Sequence, residues 1–206
     1  MIGRRGFLTT LIGASAAILL PLPVQASETE EASAFINDLI SRAIQTLTGK
    51  NLPPEERAKR FRDMLREGLD SEHVAGFVLG PYRRRTTKSE FSEFVGVLED
   101  YVVATYARRL SDYEGQRFEV TGAVPDKRER TVVATEFQTD GGPPLKVHWK
   151  VHRKGDVFKV VDITVEGLSM MVAQREEFVS VIRQGGGKVA TLITALKDKN
   201  QKLLGN

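Results

Sequence analysis

The sequence predicts an α+β fold in which helices pack on a four-stranded antiparallel sheet. Between about residues 32 and 110, apolar side chains recur every three or four positions, the spacing of one face of a helix. From about residue 116 to 165 they alternate with polar ones, as on a half-buried strand. Helical spacing returns after Gly167 and runs to the C-terminus. Helices, then strands, then helices, with no internal repeat, describe an α+β domain rather than a parallel βαβ sheet.

The elements follow in order. Phe35, Ile36, Leu39, Ile40, Ala43, Ile44 and Leu47 form the apolar side of a first helix beginning near Ala32, which Gly49 closes. Pro53-Pro54 followed by Glu55-Glu56 starts a second helix, with Phe61, Met64, Leu65 and Leu69 on its buried side. Ser71 is expected to cap a short third helix carrying Val74, Phe77, Val78 and Leu79. A loop through Gly80-Pro81 then bears Tyr82 and Arg83 to Arg85. From about Thr87 to Leu110 a long helix places Phe91, Phe94, Val95, Leu98, Val102 and Tyr106 on one face.

Phe118, Val120 and Val124 begin the first strand, and Thr131 to Phe137 form the second. In the third, Leu145, Val147, Trp149 and Val151 alternate with Lys146, His148, Lys150 and His152. Lys154-Gly155 turns the chain into the fourth, Phe158 to Val165. A two-residue loop would set Trp149 opposite Val160, and a bulged loop would set it opposite Lys159. Met170, Met171, Phe178, Val181 and Ile182 mark the next helix; Gly185 to Gly187 break it before a last one bearing Val189, Leu192, Ile193 and Leu196.

The N-terminus fixes the compartment. Arg4-Arg5 precedes Phe7-Leu8 and an apolar run from Leu11 to Leu20, and Val24-Gln25-Ala26 suits signal peptidase. The run is shorter than the ~20 residues that span a bilayer, and the arginine pair resembles a twin-arginine export signal. Residues 1–26 are therefore expected to be a signal peptide and 27–206 a single domain, located in the periplasm. The alternative is an uncleaved anchor, which leaves the working part equally outside the cytoplasm.

The full chain carries 30 basic and 27 acidic residues, a formal charge of +3. Arg4 and Arg5 are the only charges in the first 26 residues, so the remainder holds 28 against 27, or +1. Acids and bases alternate along the helices instead of gathering in a basic patch, which argues against a nucleic-acid partner. No cysteine is present. Disulfides, cysteine nucleophiles and the common zinc sites are excluded, and about 180 residues must hold together by their core alone.

The search for catalytic chemistry is negative: no phosphate-binding glycine loop, no nucleophile elbow and no paired-carboxylate motif occurs. His148 and His152 lie four apart on one strand face, but on its lysine-rich side, and are expected to be surface histidines. Asp162 and Glu166 have no evident partner base, so structural roles are expected for both. No catalytic residue, cofactor or metal is assigned.

Two segments resemble a known family. One is Leu79-Gly80-Pro81-Tyr82-Arg83 with Phe91, Phe94, Leu98 and Thr105-Tyr106-Ala107; the other is Asp162 to Val165, Glu166-Gly167-Leu168-Ser169-Met170, Arg175 and Phe178. In order and over essentially the whole mature chain they are similar to the MlaC, or toluene-tolerance auxiliary, family. Tyr82 departs from it, since a tryptophan is common there, as does the twin-arginine signal. The resemblance implies a non-enzymatic phospholipid carrier with an apolar lipid pocket between sheet and helices. It also implies transport between an outer-membrane lipoprotein complex and an inner-membrane ABC transporter, which maintains outer-membrane lipid asymmetry.

Such a carrier must shield roughly 30 methylenes, whose exposure would cost on the order of 20 kcal/mol. On this reading the candidate lipid contacts are Tyr82, Phe91, Phe94, Val95, Leu98, Val102, Tyr106, Val147, Trp149, Val151, Val160, Met170 and Met171. Arg83, Arg84 and Arg85 are candidates for headgroup contact or partner docking, and a monomer is expected. The competing readings are a carrier of another lipid such as a hopanoid, a small-cavity enzyme using Asp162, and a protein-binding adaptor with a filled core.

Overall fold

The computed structural model describes residues 24–48, 52–107, 116–139 and 141–204. The expected signal peptide therefore lies almost wholly outside the described residues, as do Gly49 and the expected end of the long helix near Leu110. Helices α1 (Val24–Leu47), α2 (Pro54–Gly68) and α3 (Ser71–Val78) lead through a 3-10 turn (Gly80–Arg85) into α4 (Lys88–Tyr106). Strands β1 (Phe118–Asp126), β2 (Arg130–Phe137), β3 (Leu145–Lys154), β4 (Val157–Val165) and β5 (Leu168–Ser169) follow, then α5 (Met170–Gln184) and α6 (Val189–Leu204). The α+β class is as expected, with a short fifth strand added to the sheet.

Several boundaries are set by local chemistry. Thr87 accepts from the Glu90 N–H while the Glu90 carboxylate accepts from the Thr87 N–H, a reciprocal cap that starts α4. For α3 the cap is Asp70 rather than Ser71: its carboxylate accepts from the His73 N–H at 3.2 Å. The segment carrying the three arginines is a 3-10 turn, not an open loop. Helix α1 begins at Val24, eight residues before the apolar spacing starts. Periodicity reports a helix only from its first buried side chain, here Ala32.

The sheet is an antiparallel meander in the order β1-β2-β3-β4-β5. Neither expected register of the β3–β4 hairpin holds. The turn residues are Gly155 and Asp156, so Lys154 faces Val157, and an irregularity beyond Val151↔Val160 sets Lys150 against Asp162 and Trp149 against Ile163. Val161 is the extra residue of this β-bulge. It lets Val160 and Val161 both turn inward, at 2% and 3% exposure. Gly155, at φ +62°, occupies the left-handed region that such tight turns require.

Two hydrophobic cores result. The first joins α3, α4, α5 and α6 through Val78, Phe94, Leu98, Phe178, Ile182 and Leu192, with the Phe94 and Phe178 rings edge to face at 6.1 Å. The second joins α1 to the sheet through Ile36, Ile40, Val133, Val151, Phe158 and Val160. Burial of each such side chain contributes about 1.5–3 kcal/mol. Leu69, between α2 and α3, packs against both cores.

Candidate lipid-binding site

A cavity of about 410 Å³ lies where the two cores meet. Helix α1 supplies Leu39, Ile40, Ala43 and Ile44; α2 supplies Phe61, Met64 and Leu65; α4 supplies Leu98, Tyr101, Val102 and Tyr106. The sheet closes it with Phe137, Trp149, Val160, Val161 and Ile163, and α5 with Met170 and Met171. Among the described residues, polar lining is confined to Thr48, the tyrosines, the Trp149 indole N–H, Asp162 and Gln174. An apolar wall this continuous suits flexible hydrocarbon, and the methionines can adapt to its shape.

The few polar groups of the wall are engaged within the fold. The Trp149 indole N–H donates to Thr135 Oγ1 at 2.9 Å, and that hydroxyl donates to the Val147 carbonyl at 3.1 Å. The indole thus faces the cavity with its polar edge satisfied. The Asp162 carboxylate accepts from Ser169 Oγ at 2.8 and 3.0 Å and from the Met171 N–H at 3.3 Å. Ser169 in turn caps α5 by accepting from the Val172 N–H. Among the described residues, Asp162 is the single carboxylate in the lining, and no histidine accompanies it. Its bonds fix the start of α5, in keeping with the structural role read for it; Glu166 likewise accepts from the Lys146 N–H at 2.6 Å.

The candidate lipid contacts divide. Leu98, Val102, Tyr106, Trp149, Val160, Met170 and Met171 line the cavity. Outside the lining stand Tyr82, Phe91, Phe94, Val95, Val147 and Val151. Phe94 is fully buried in the helical core, against which Phe91, Val95 and Tyr82 pack, while Val151 is buried beneath α1 and Val147 within the sheet. Helix α4 explains the split: its N-terminal half serves the helical core and its C-terminal half walls the cavity. Arg83 stacks on the Phe91 ring at 3.7 Å, and Arg84 and Arg85 are exposed; none of the three lines the cavity.

The residues missed as lining are those of α1 and α2, the β4 residues other than Val160, and Thr48, Leu69, Val74, Tyr101, Phe137 and Gln174. Their apolar spacing was visible, but it marks burial without telling a core from a cavity.

Behind the wall at Leu69 and Val74 sits a polar cluster. Asp70, 5% exposed, accepts from Lys154 Nζ at 3.0 Å and lies 2.9 Å from His152 Nε2. His152 is therefore a half-buried partner of Asp70, a correction to the surface role expected for it, whereas His148 is exposed. The His73 ring lies tilted beside that of His152, with ring centroids 5.6 Å apart, and its Nε2 lies 3.2 Å from the Arg130 guanidinium. Burial raises the Asp70 carboxyl, but Lys154, the His73 N–H and His152 outweigh it and leave it below the usual aspartate value. Burial lowers His73, and the adjacent Arg130 lowers it further.

Among the described residues, no helix is long and apolar enough to cross a membrane, and no cluster of three metal-ligating side chains occurs. Comparison with known proteins places this geometry. The fold is similar to that of a phospholipid-binding protein from Ralstonia solanacearum solved in complex with a phospholipid. The TM-score is 0.75 at 18% identity, over 84% of this chain and 98% of the other. In sequence, the chain is similar to the intermembrane phospholipid transport system binding protein MlaC of Haemophilus influenzae, 23% identical over 133 residues. That match takes in 63% of this chain and 61% of the relative's length. The family model for MlaC protein matches residues 36–198, from the middle of α1 to the last turns of α6, and so takes in every wall of the cavity: the chain belongs to the MlaC family.

Proposed function

We propose that this protein is a periplasmic phospholipid carrier, exported through the signal in residues 1–26, and that it is not an enzyme. It takes lipid between an outer-membrane lipoprotein complex and an inner-membrane ABC transporter of the Mla type, and so maintains outer-membrane lipid asymmetry. The observation that carries this reading is the apolar cavity of about 410 Å³ in a fold of the MlaC family. Acyl chains in such a cavity lose water at about 0.8 kcal/mol gained per methylene. The ligands named for the two similar proteins are of the same chemical class.

The reading is tested by organic extraction and mass spectrometry of natively purified protein. Phospholipid at about one molecule per chain is the expected yield of a 300–1,000 Å³ site that encloses most of its ligand. No extracted lipid, together with no uptake from labelled vesicles, would refute it.

A further inference from the structure

Among the described elements, helix α2 is the one wall of the cavity whose lining side chains belong to neither core. Phe61, Met64 and Leu65 face the cavity, remain half-buried, and pack against neither hydrophobic cluster. The buried residues of α2 are Arg57 and Gly68 alone. Charges hold the helix to α4: Arg62 pairs with Asp100, and Arg66 Nε with Glu99 Oε2 at 2.8 Å. On its other side, Arg42 of α1 pairs with Glu67 at 2.9 Å. Glu99 is buried and Arg62 half-buried, but the partner in each pair is exposed, so salt screens the pairs and each is weak.

The C-terminal end of α2 is fastened differently. Leu69 bridges to Val160, the Asp70 N–H donates to the Val160 carbonyl at 3.0 Å, and Lys159 Nζ donates to the carbonyls of Arg66 and Glu67. Parting α2 from α4 about this joint breaks the two ion pairs and no contact of either core, while Arg57 Nε, donating to the Leu47 carbonyl at 2.9 Å, ties the first turn of α2 to α1.

The cavity volume supplies an independent observation. An apolar cavity of about 150 Å³ takes up one benzene, or about 25 Å³ per carbon. On that scale, about 410 Å³ accommodates roughly 16 carbons, one acyl chain where a phospholipid has two.

We infer that the α2–α4 seam governs capacity: with α2 seated the cavity holds one acyl chain, and with α2 displaced it holds two. This rests on the phospholipid-binding reading above. The absence of cysteine from the chain makes the test clean. In delipidated protein, Arg62→Cys with Asp100→Cys is joined by a short bismaleimide, and binding of lysophosphatidylcholine and phosphatidylcholine is measured by native mass spectrometry. A control pair, Glu93→Cys with Lys197→Cys, joins α4 to α6 where a 2.6 Å ion pair now lies.

Linking α2 to α4 should weaken two-chain binding by about tenfold or more, because the competent state is withdrawn, and leave one-chain binding unchanged. The control link should change neither. Unimpaired two-chain binding, or equal loss of both probes, would overturn the inference. Failure of the unlinked protein to bind either probe would instead sink the carrier reading. Should the cysteine pair unfold the protein, the wild type serves. Raising salt from about 0.1 to 1 M shortens screening from about 10 to 3 Å, so it should favour two-chain over one-chain lipid. A salt-independent ratio would overturn the inference equally.

Discussion

Val102→Trp asks whether the space beside α4 is a cavity or a core. Val102 lines the cavity, and the substitution adds about seven heavy atoms; at roughly 25 Å³ per carbon these occupy about 175 Å³. Some 235 Å³ of the about 410 Å³ then remains, less than one acyl chain on the same scale. Lipid binding should be lost, while the indole fills space that is empty without lipid and so introduces little strain. In a close-packed core the same change would cost about 1–3 kcal/mol or more, and for about 180 residues each kcal/mol lowers Tm by roughly 2–4 °C.

The adjacent Val103 provides the internal contrast, because it is fully buried and absent from the lining. Val103→Trp should fall by about 1–3 kcal/mol or more through overpacking. Both variants are melted after delipidation, since bound lipid would itself stabilise the native state, and lipid content is measured by extraction. A lipid-free Val102→Trp protein melting close to wild type is the expected result. A Val102→Trp protein as unstable as Val103→Trp and still loaded with lipid would refute the placement of the cavity.

Two further outcomes follow from the polar features. Asp70→Asn keeps an oxygen to cap the His73 N–H but removes the charge facing Lys154 and His152, and should cost about 1–3 kcal/mol in urea denaturation. The pH profile has a definite sign. His73 is held below its ordinary value of about 6.5 and Asp70 below about 3.9, so the folded state binds fewer protons than the unfolded chain in both ranges. Stability should fall as pH drops below about 6.5 and again below about 3.9; Glu31, Glu56, Glu67, Glu90 and Asp126 are also held low and share the second loss, so Asp70→Asn should lessen it, and a profile unchanged by it would contradict the assignment. Replacing Arg83, Arg84 and Arg85 together by alanine should cost about 0.5–1 kcal/mol, from the Arg83–Phe91 stacking alone. It should slow lipid exchange with partners; unchanged exchange would remove this turn from any docking role.

What the sequence determined by itself was local. Apolar spacing located every described helix core and four strands, it placed the start of the long helix near Thr87, and the lack of catalytic motifs was visible directly. These are properties of contiguous residues, whose periodicity follows from helix and strand geometry. Tertiary structure alone decided what each apolar face meets. Phe94 and Leu98 are neighbours on α4 with the same hydrophobic signature, yet Phe94 packs against Phe178 while Leu98 also reaches the cavity. Burial removes either side chain from water at similar gain, so the pattern cannot separate a packed neighbour from an empty volume. The bulge at Val161 was equally invisible, because a one-residue slip reassigns strand faces without altering composition. Asp70 found its partners more than 80 residues away, across the joint that α2 makes with the sheet. Such a pairing exists only once both cores have formed and brought those segments together.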